Sequence, residues 1–330
     1  MSQIRFLSGR EVEDLLRWDE TIPIQGEAFA LLSSNRIDMP VKTLLLTERP
    51  KAHMLFMPAV LENAGGFGMK FTGRFPENLE KGLPARMSAL LLMDGETGQP
   101  RAFLEGASLT DHRTGACAGL STRLLAREDS SVVTVFGAGD TAGPCLEAVC
   151  HVRDIEKVWV VARSELRAKR FVEDMKALGG RIPRDIELTK DRNKAVREAD
   201  IVVAATNAKE PVFDGRDPRP GTHINSVGNV NGRELDSETV RRARVLMDSR
   251  EGCLAYARDI YLPIKEGVVV EGHLQDEIGQ VVLGERPGRR DPEEITLFKS
   301  LGVAIQDIVT GFHVLREAER LDRGSLLDWG

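Results

Sequence analysis

The stretch Val132-Val133-Thr134-Val135-Phe136-Gly137-Ala138-Gly139-Asp140-Thr141-Ala142 decides the fold, because an apolar β-branched run breaks there into the pattern G-x-G-x-x-A. Such a run is typical of a buried parallel strand that ends in a tight turn and a helix. Gly137 permits the turn, Gly139 lets the backbone approach a pyrophosphate, and Ala142 lets the helix pack closely on the strand. A lone glycine pattern has low specificity, but its position between strand and helix predicts a site for a nicotinamide or flavin dinucleotide.

Length and composition narrow the class of protein. The chain has 330 residues, 42% of them hydrophobic and 29% charged, which is typical of a soluble protein of two domains. Its net charge of −6 argues against a nucleic-acid surface. We also expect no membrane span and no metal site. The four cysteines include no C-x-x-C pair, so we expect reduced thiols and a cytoplasmic location.

Beyond Ser131 the chain alternates between strand and helix patterns, which predicts a Rossmann-type doubly wound parallel sheet. The first hundred residues mix short helices, one of them expected from Ile24 to Ser34, with strand-like runs, and the turn residues 94–100 predict a hairpin between two of these runs. Leu301 to Leu321 reads as an amphipathic helix that packs back on them. We therefore expect a Rossmann domain over 126–311. An α+β domain over 1–125, with 312–330 packing back, would bind substrate and form a dimer.

Several short motifs occur in one order along the chain. They are Gly65-Gly66-Phe67-Gly68-Met69-Lys70, Phe75-Pro76-Glu77-Asn78, Gly82-Leu83-Pro84, Asp111-His112-Arg113-Thr114-Gly115-Ala116, the turn at Gly137, and Phe298-Lys299-Ser300-Leu301-Gly302. In this order they resemble the family of ornithine cyclodeaminase and mu-crystallin. The resemblance implies a substrate domain, a Rossmann domain and a homodimer.

The resemblance also implies roles for cationic residues. Lys70 matches a lysine that faces the substrate carboxylate and the reacting carbon, where an ammonium can orient an imino acid and assist proton movement. Arg113 matches a residue that grips the carboxylate or a cofactor phosphate, which suits a guanidinium fork. Alternatively, Lys70 is a surface lysine and Arg113 bridges two domains.

Two further cations belong to this expected site. Lys42 stands where many members of the family have an arginine that also holds the carboxylate; a lysine keeps the charge and loses the fork. Arg86 stands where mu-crystallin has a histidine. If Arg86 faces the substrate, it would favour a second acidic group, such as that of iminosuccinate. A plain surface arginine is the alternative.

The cofactor is expected to be NADP(H) rather than NAD(H). No acidic residue ends the second Rossmann strand, where one would bind the ribose hydroxyls, and Arg163-Ser164 suits a 2′-phosphate. The expected cofactor-binding residues are Arg113, Thr114, Gly137, Ala138, Gly139, Asp140, Thr141, Ala142, Arg163, Ser164, Thr206, Val227 and Ser300.

Two departures from the cyclodeaminases bear on the reaction. Their acid/base aspartate has no counterpart in the loop 228–233, and Asp236 beyond it reads as a helix N-cap. Met57 occupies the place of a glutamate about thirteen residues before the lysine. Losing two carboxylates weakens the case for ammonia loss and ring closure. Imine reduction needs only a held carboxylate, a hydride donor and one proton source.

The sequence thus favours an NAD(P)-dependent oxidoreductase acting on the C=N or C–N bond of an imino or amino acid. Its reaction could be that of a ketimine reductase, an amino-acid dehydrogenase or an opine-type dehydrogenase. Two alternatives stay open. One is an ornithine cyclodeaminase that forms proline and ammonia with bound NAD, and the other is an NADPH-dependent binder of a small carboxylate, like mu-crystallin.

Overall fold

The computed structural model describes residues 3–37, 39–40, 43–48, 51–61, 65–230 and 232–330. The chain divides into two compact units. The first consists of Met1–Arg113 and Val303–Gly330, and the second of Thr114–Gly302. No helix in the described ranges is long and apolar enough to cross a membrane.

The first unit is built on a seven-stranded sheet. Its strands are β1 (Gln3–Leu7), β2 (Thr43–Thr47), β3 (Ala52–Leu61), β4 (Gly66–Arg74), β5 (Arg86–Asp94), β6 (Pro100–Glu105) and β15 (Ser325–Asp328). They are arranged in the order β15-β1-β6-β5-β4-β3-β2. The pairing of β1 with β6 is parallel and the other pairings are antiparallel. The turn at Asp94 joins β5 and β6 into the predicted hairpin.

Helices cover one face of this sheet. They include α1 (Gly9–Asp14), α2 (Trp18–Ser33) and α11 (Ala304–Arg320), and α3 (Gly106–Leu125) begins in this unit. The helix α11 packs against β3, β4 and β5, and its apolar residues share one core with theirs. Close packing depends on Gly68, because a Cβ there would lie 2.7 Å from Cγ1 of Ile308. The C-terminal helix is therefore held tightly on the strand that carries Lys70.

The second unit is built on an eight-stranded, entirely parallel sheet. Its strands are β7 (Val132–Phe136), β8 (Lys157–Val161), β9 (Asp185–Leu188), β10 (Ile201–Ala204), β11 (His223–Val227), β12 (Arg244–Met247), β13 (Asp276–Glu277) and β14 (Thr296–Ser300). They are arranged in the order β13-β12-β14-β11-β10-β7-β8-β9. The order reverses beside β7, so the crevice between β7 and β10 is the switch point where ligands bind in such folds.

Two apolar cores lie on the two faces of this parallel sheet. Ile201 and Val203 belong to one core and Val202 to the other, as alternation along a strand requires. The helices that lie wholly in this unit are α4 (Ala142–Val152), α5 (Glu165–Leu178), α6 (Arg192–Glu198), α7 (Ser237–Arg242), α8 (Arg250–Tyr256), α9 (Arg258–Lys265) and α10 (Ile278–Val282). The first two contribute to one core, and α6 to α9 contribute to the other. The predicted doubly wound α/β fold of one unit and the predicted α+β fold of the other are confirmed.

Two predicted helix starts are wrong. A helix was expected from Leu301, but Gly302 has a φ of +80° and α11 begins only at Ala304. The helix expected from Ile24 begins at Trp18, because the residues before Pro23 are also fixed by tertiary contacts: Thr21 and Ile22 are buried. Tertiary packing here overrides the local signal.

Candidate active site

The side chains of Lys70 and Arg113 meet at one carboxylate, Asp307 on α11. Nζ of Lys70 donates to Oδ1 of Asp307 at 2.8 Å, and Nε of Arg113 donates to the same oxygen at 3.0 Å. All three side chains are buried. Oδ2 of Asp307 has no hydrogen-bond partner within the described ranges. Arg113 thus pairs inside the first unit, on a partner that no sequence pattern indicated.

The charges of this cluster set its chemistry. Burial lowers the pKa of Lys70 to about 8, although the charge of Asp307 opposes that change. Burial alone would raise the pKa of Asp307, but the charges of Arg113 and Lys70 outweigh it and lower that pKa. Its place in the first turn of α11 also favours the ionised carboxylate. With Lys70 protonated, two cations face one anion, and the excess positive charge suits an incoming carboxylate.

Polar side chains hold the start of α11 in place around the cluster. Oε1 of Gln306 accepts from Nη1 of Arg113 at 3.5 Å and from the Val303 amide at 2.9 Å. Nε2 of Gln306 donates to Oε1 of Gln25 at 3.1 Å, which ties α11 to α2. These bonds satisfy groups that would otherwise be buried without partners.

His112, next to Arg113, adds no charge to the site. Its ring stacks on Trp18 with centroids 3.8 Å apart, and Nε2 lies 3.0 Å from Oγ1 of Thr21. Burial lowers the pKa of His112 to about 3, so the ring is neutral at physiological pH. The stack fixes α3 against α2 beside the charged cluster.

Met57 is the cross-strand partner of Lys70. The register of β3 and β4 pairs the two residues directly, and Met57 is buried. Side chains of directly opposed residues lie side by side on one face of a sheet. The glutamate that the resemblance implies for cyclodeaminases would therefore stand beside this lysine, and an apolar thioether takes its place.

Arg86 pairs with Asp111 of α3. Both residues are partly buried, and the charge of Arg86 is among those that lower the pKa of Lys70. Arg86 therefore belongs electrostatically to the site, but its own charge is balanced by a carboxylate. Lys42 lies outside the described residues.

The expected cofactor residues of the second unit line one edge of its sheet. Five of them, namely Gly137, Arg163, Thr206, Val227 and Ser300, end or follow the strands β7, β8, β10, β11 and β14. These are five consecutive strands of the sheet. Since the strands are parallel, the residues share its carboxyl edge, where nucleotide ligands bind in doubly wound folds. Thr114 is not at the end of any of these strands; it is buried in α3, which precedes β7 in the chain.

The turn after β7 has the conformation that a dinucleotide needs. Gly137 has a φ of +112°, and a Cβ there would lie 2.5 Å from the Ala205 carbonyl oxygen. Only glycine fits, and the turn therefore packs directly on the end of β10. A Cβ on Gly139 would meet nothing within 4 Å, so open space lies beside this backbone. Ala138, Asp140 and Thr141 complete the turn before α4 begins at Ala142. The residues fit a bound pyrophosphate.

The end of β8 carries no acidic residue. Val160, Val161 and Ala162 precede Arg163, which is exposed. Oγ of Ser164 caps α5 by accepting from the Arg167 amide at 3.4 Å. Glu165 follows, but Lys169 lies 3.0 Å from its carboxylate and Lys190 3.7 Å.

Buried carboxylates fix two of the other edge residues. Oε1 of Glu234 accepts from the Thr206 amide at 2.6 Å and from its Oγ1 at 2.5 Å. Oδ2 of Asp248 accepts from Oγ of Ser300 at 2.9 Å. Burial raises the pKa of Glu234, although the charge of Lys299 opposes this. Asp236, considered above as a helix N-cap, does cap α7 through the Thr239 amide at 2.8 Å.

Sequence reasoning missed Asp307, Asp111 and Glu234. The motif around Arg113 contains Asp111, but nothing in it indicates a partner on β5. Asp307 lies 237 residues from Lys70. In the sequence, an acidic residue at this place indicates only the start of a helix. Glu234 directly follows the loop 228–233, in which the cyclodeaminase aspartate has no counterpart. This adjacency is the signal that could have identified Glu234.

Comparisons with known proteins decide the family. The profile of the ornithine cyclodeaminase/mu-crystallin family matches residues 3–320. The chain belongs to this family. The predicted resemblance is confirmed.

Three relatives extend over nearly the whole chain. The structure of Delta(1)-pyrroline-2-carboxylate reductase from Thermococcus litoralis, in complex with NADH and L-proline, is 40% identical, with a TM-score of 0.91 over 98% of this chain and 99% of that one. An archaeal alanine dehydrogenase dimer with bound NAD is 32% identical, with a TM-score of 0.91 over the full length of both. A Delta(1)-pyrroline-2-carboxylate reductase of Bacillus cereus is 35% identical over 96% of this chain and 97% of its own.

These relatives confirm the class of enzyme expected from the sequence, an oxidoreductase that uses a nicotinamide cofactor on imino or amino acids. The NADH and NAD in the two relative structures agree with the expected type of cofactor and do not separate NADP from NAD.

Gly139→Ala tests the cofactor turn. We expect the free energy of unfolding of the apoprotein to stay unchanged, because the new Cβ meets open space. The affinity for NADPH and NADH should fall by about tenfold or more, because the Cβ occupies the space into which the phosphates must approach. Fluorescence titration of the reduced cofactors measures this effect, and thermal unfolding checks the fold.

Gly272→Ala is the matched control, since its Cβ would also stand nearly free in the same unit. Equal cofactor affinities for the two variants would place the pyrophosphate elsewhere.

Proposed function

We propose that this protein reduces a cyclic imino monocarboxylate, such as Delta(1)-pyrroline-2-carboxylate, to the corresponding amino acid. The observation that carries the proposal is the buried cluster of Lys70, Arg113 and Asp307, whose excess positive charge suits one carboxylate. The two pyrroline-2-carboxylate reductases named above support the choice of substrate. The first unit would serve as the substrate-binding unit and the second as the cofactor-binding unit.

The residues of the first unit have distinct parts in this reaction. Arg113 would bind the carboxylate, with Lys42 as a further cation of the site. Lys70 would donate a proton to the imine nitrogen, and Asp307 would hold its ammonium in position. The bound nicotinamide cofactor would supply the hydride to the imine carbon. One hydride on carbon and one proton on nitrogen convert the C=N bond into the amine.

The surroundings of Lys70 favour reduction over cyclodeamination. Met57, directly opposite Lys70, can neither accept nor donate a proton. Reduction needs a single proton, which the lysine can supply, whereas ammonia loss and ring closure require more proton transfers.

Turnover is the direct test of this function. The protein should oxidise NADPH when Delta(1)-pyrroline-2-carboxylate is added. The loss of absorbance of the reduced cofactor measures this reaction. Lys70→Met, which keeps the volume and removes the proton, should lower kcat/KM by about 10²–10⁴-fold. The exposed Lys81→Met is the matched control and should behave as the unmodified protein.

The pH profile of the reaction provides a second test. Since the ammonium form of Lys70 donates the proton, the rate of reduction should decline as the pH rises through about 8, the pKa of Lys70.

Lys70→Met should lose that decline along with most of its activity. Release of ammonia and proline from ornithine without added reductant would instead identify a cyclodeaminase. Absence of turnover with a panel of imino acids, with the cofactor still bound, would favour a carboxylate-binding protein.

Within the nicotinamide cofactors, NADP(H) is proposed over NAD(H). Arg163 is exposed at the end of β8, where a 2′-phosphate would lie, and no acidic residue precedes it on the strand. The hydroxyl of Ser164 at the start of α5 adds a further donor. The nearby Glu165 is paired with lysines and so repels a phosphate less than a free carboxylate would.

Arg163→Ala should raise the KM for NADPH by about tenfold and leave the KM for NADH unchanged, because only the phosphate bonds to the guanidinium. Initial rates measured at a series of NADPH or NADH concentrations give the two KM values and their ratio. Arg170→Ala, which removes an exposed arginine of the neighbouring helix α5, is the control. A parallel change for both cofactors, or none, would argue against the phosphate site.

A homodimer is proposed through the face of the first sheet that lies opposite its helices. Strand registers align five outward residues, Phe6, Phe103, Leu91, Met69 and Pro58, in one row across β1, β6, β5, β4 and β3. The side chains of Phe6 and Phe103 are 42% and 36% exposed and stack with centroids 6.0 Å apart. A continuous apolar row of this kind is typical of an interface. The alanine dehydrogenase dimer named above supports a dimeric state.

The double variant Phe6→Asp/Phe103→Asp should convert a dimer into a monomer, because two charges cannot be buried there without partners. Light scattering coupled to size exclusion measures the mass. The control is Leu166→Asp on α5, whose side chain is 80% exposed and should not affect assembly. A dimer that persists in the double variant would contradict this interface.

A further inference from the structure

A strip of polar side chains extends from Lys70 along the helix-covered face of the first sheet. Lys70 and Thr72 are two residues apart on β4, and Arg86 and Ser88 are two residues apart on β5. Because Thr72 and Ser88 are paired across the two strands, all four side chains lie on one face of the sheet. Oγ of Ser88 donates to Oγ1 of Thr72 at 2.6 Å, which confirms that the middle of the strip is in contact. We call these four residues the polar strip.

The polar strip separates the ammonium of Lys70 from the guanidinium of Arg86 by a few residues of strand. In register, Lys70 faces Leu90, and Arg86 lies four residues further along β5. Four residues of a strand span about 13 Å, and the long side chains of Lys70 and Arg86 can shorten that gap. Arg86 and Lys70 lie on the same face of the sheet, and the contact between Ser88 and Thr72 joins their two strands between them. A substrate whose carboxylate is bound near Lys70 can therefore present a distal group to Arg86.

Asp111 decides what Arg86 offers to such a group. Nη2 of Arg86 donates to Oδ2 of Asp111. The pair is charge-balanced, whereas the cluster of Lys70, Arg113 and Asp307 carries one excess positive charge. Nε of Arg86 is buried and has no hydrogen-bond partner among the described residues. The guanidinium of Arg86 stands at the distal end of the strip, opposite Arg74 of β4, and the carboxylate of Asp111 is bonded to Arg86 before any substrate arrives.

We propose that Asp111 is a specificity-determining residue, which neutralises Arg86 and so restricts the site to monocarboxylic imino acids. A second carboxylate near Arg86 would have to compete with that of Asp111, and it would be repelled by it. Neutral distal groups, including the methylenes of a ring, meet no such repulsion. This inference rests on the proposed function, since it concerns the substrate of that site.

Binding of planar, stable imine analogues tests the inference without requiring turnover. Calorimetry with saturating NADPH compares pyrrole-2-carboxylate with pyrrole-2,4-dicarboxylate and pyrrole-2,5-dicarboxylate. The unmodified protein should bind the monocarboxylate at least about tenfold more tightly than either dicarboxylate. In Asp111→Asn the ratio of the affinity for one dicarboxylate to the affinity for the monocarboxylate should rise by about tenfold or more. The double variant Arg86→Gln/Asp111→Asn should lose this gain, because the freed cation is gone.

A ratio in Asp111→Asn within about twofold of the unmodified protein, or an equal gain in the double variant, would overturn the inference. Failure of all proteins to bind the monocarboxylate would also overturn it. Asp111→Ser serves where the asparagine variant does not fold, as judged by thermal unfolding. Reduction of Delta(1)-pyrroline-2-carboxylate is measured in parallel. A protein that reduces it but shows no shift refutes only the specificity role, and a shift without reduction refutes only the proposed function.

Discussion

One buried carboxylate, Asp307, organises the first unit. Burying Lys70 and Arg113 is unfavourable unless an anion compensates them, and Asp307 bonds to both through the same oxygen. The carboxylate reaches them because α11 packs closely on β4, where Gly68 has no side chain to hold it off. Residues from the start and the end of the chain thus form a single cluster, and the first unit requires its C-terminal helix to be complete.

In the second unit, buried polar groups hold the carboxyl edge of the parallel sheet in one shape. Gly137 lets the turn after β7 pack on the end of β10, and Glu234 bonds to both the amide and the hydroxyl of Thr206 there. Behind them, Lys299 donates to Ser226 at 2.9 Å and to Asp259 at 2.6 Å, all buried. A satisfied polar network of this kind rigidifies the edge on which nucleotide recognition depends.

The sequence was sufficient for features that local patterns encode. The parallel sheet, the turn at Gly137 and the cap at Asp236 follow from periodicity and turn chemistry, and the ordered motifs identified the family correctly. Partners across long separations were out of reach. Nothing in the spacing of Lys70, Arg113 and Asp307 shows that they meet, because that depends on how α11 packs. The starts of α2 and α11 were misplaced for a related reason, since burial and a left-handed Gly302 set them.

The chemistry of the site follows from which charges are balanced and which are not. We propose that a substrate carboxylate binds where two cations share one anion, at Lys70, Arg113 and Asp307, and gains little where Arg86 is already matched by Asp111. Met57 beside Lys70 offers no second group that could carry a proton. A site with one excess positive charge and one mobile proton suits a reaction that consumes one proton. Reduction of an imino monocarboxylate is such a reaction, whereas a cyclodeaminase would need further groups beside that lysine.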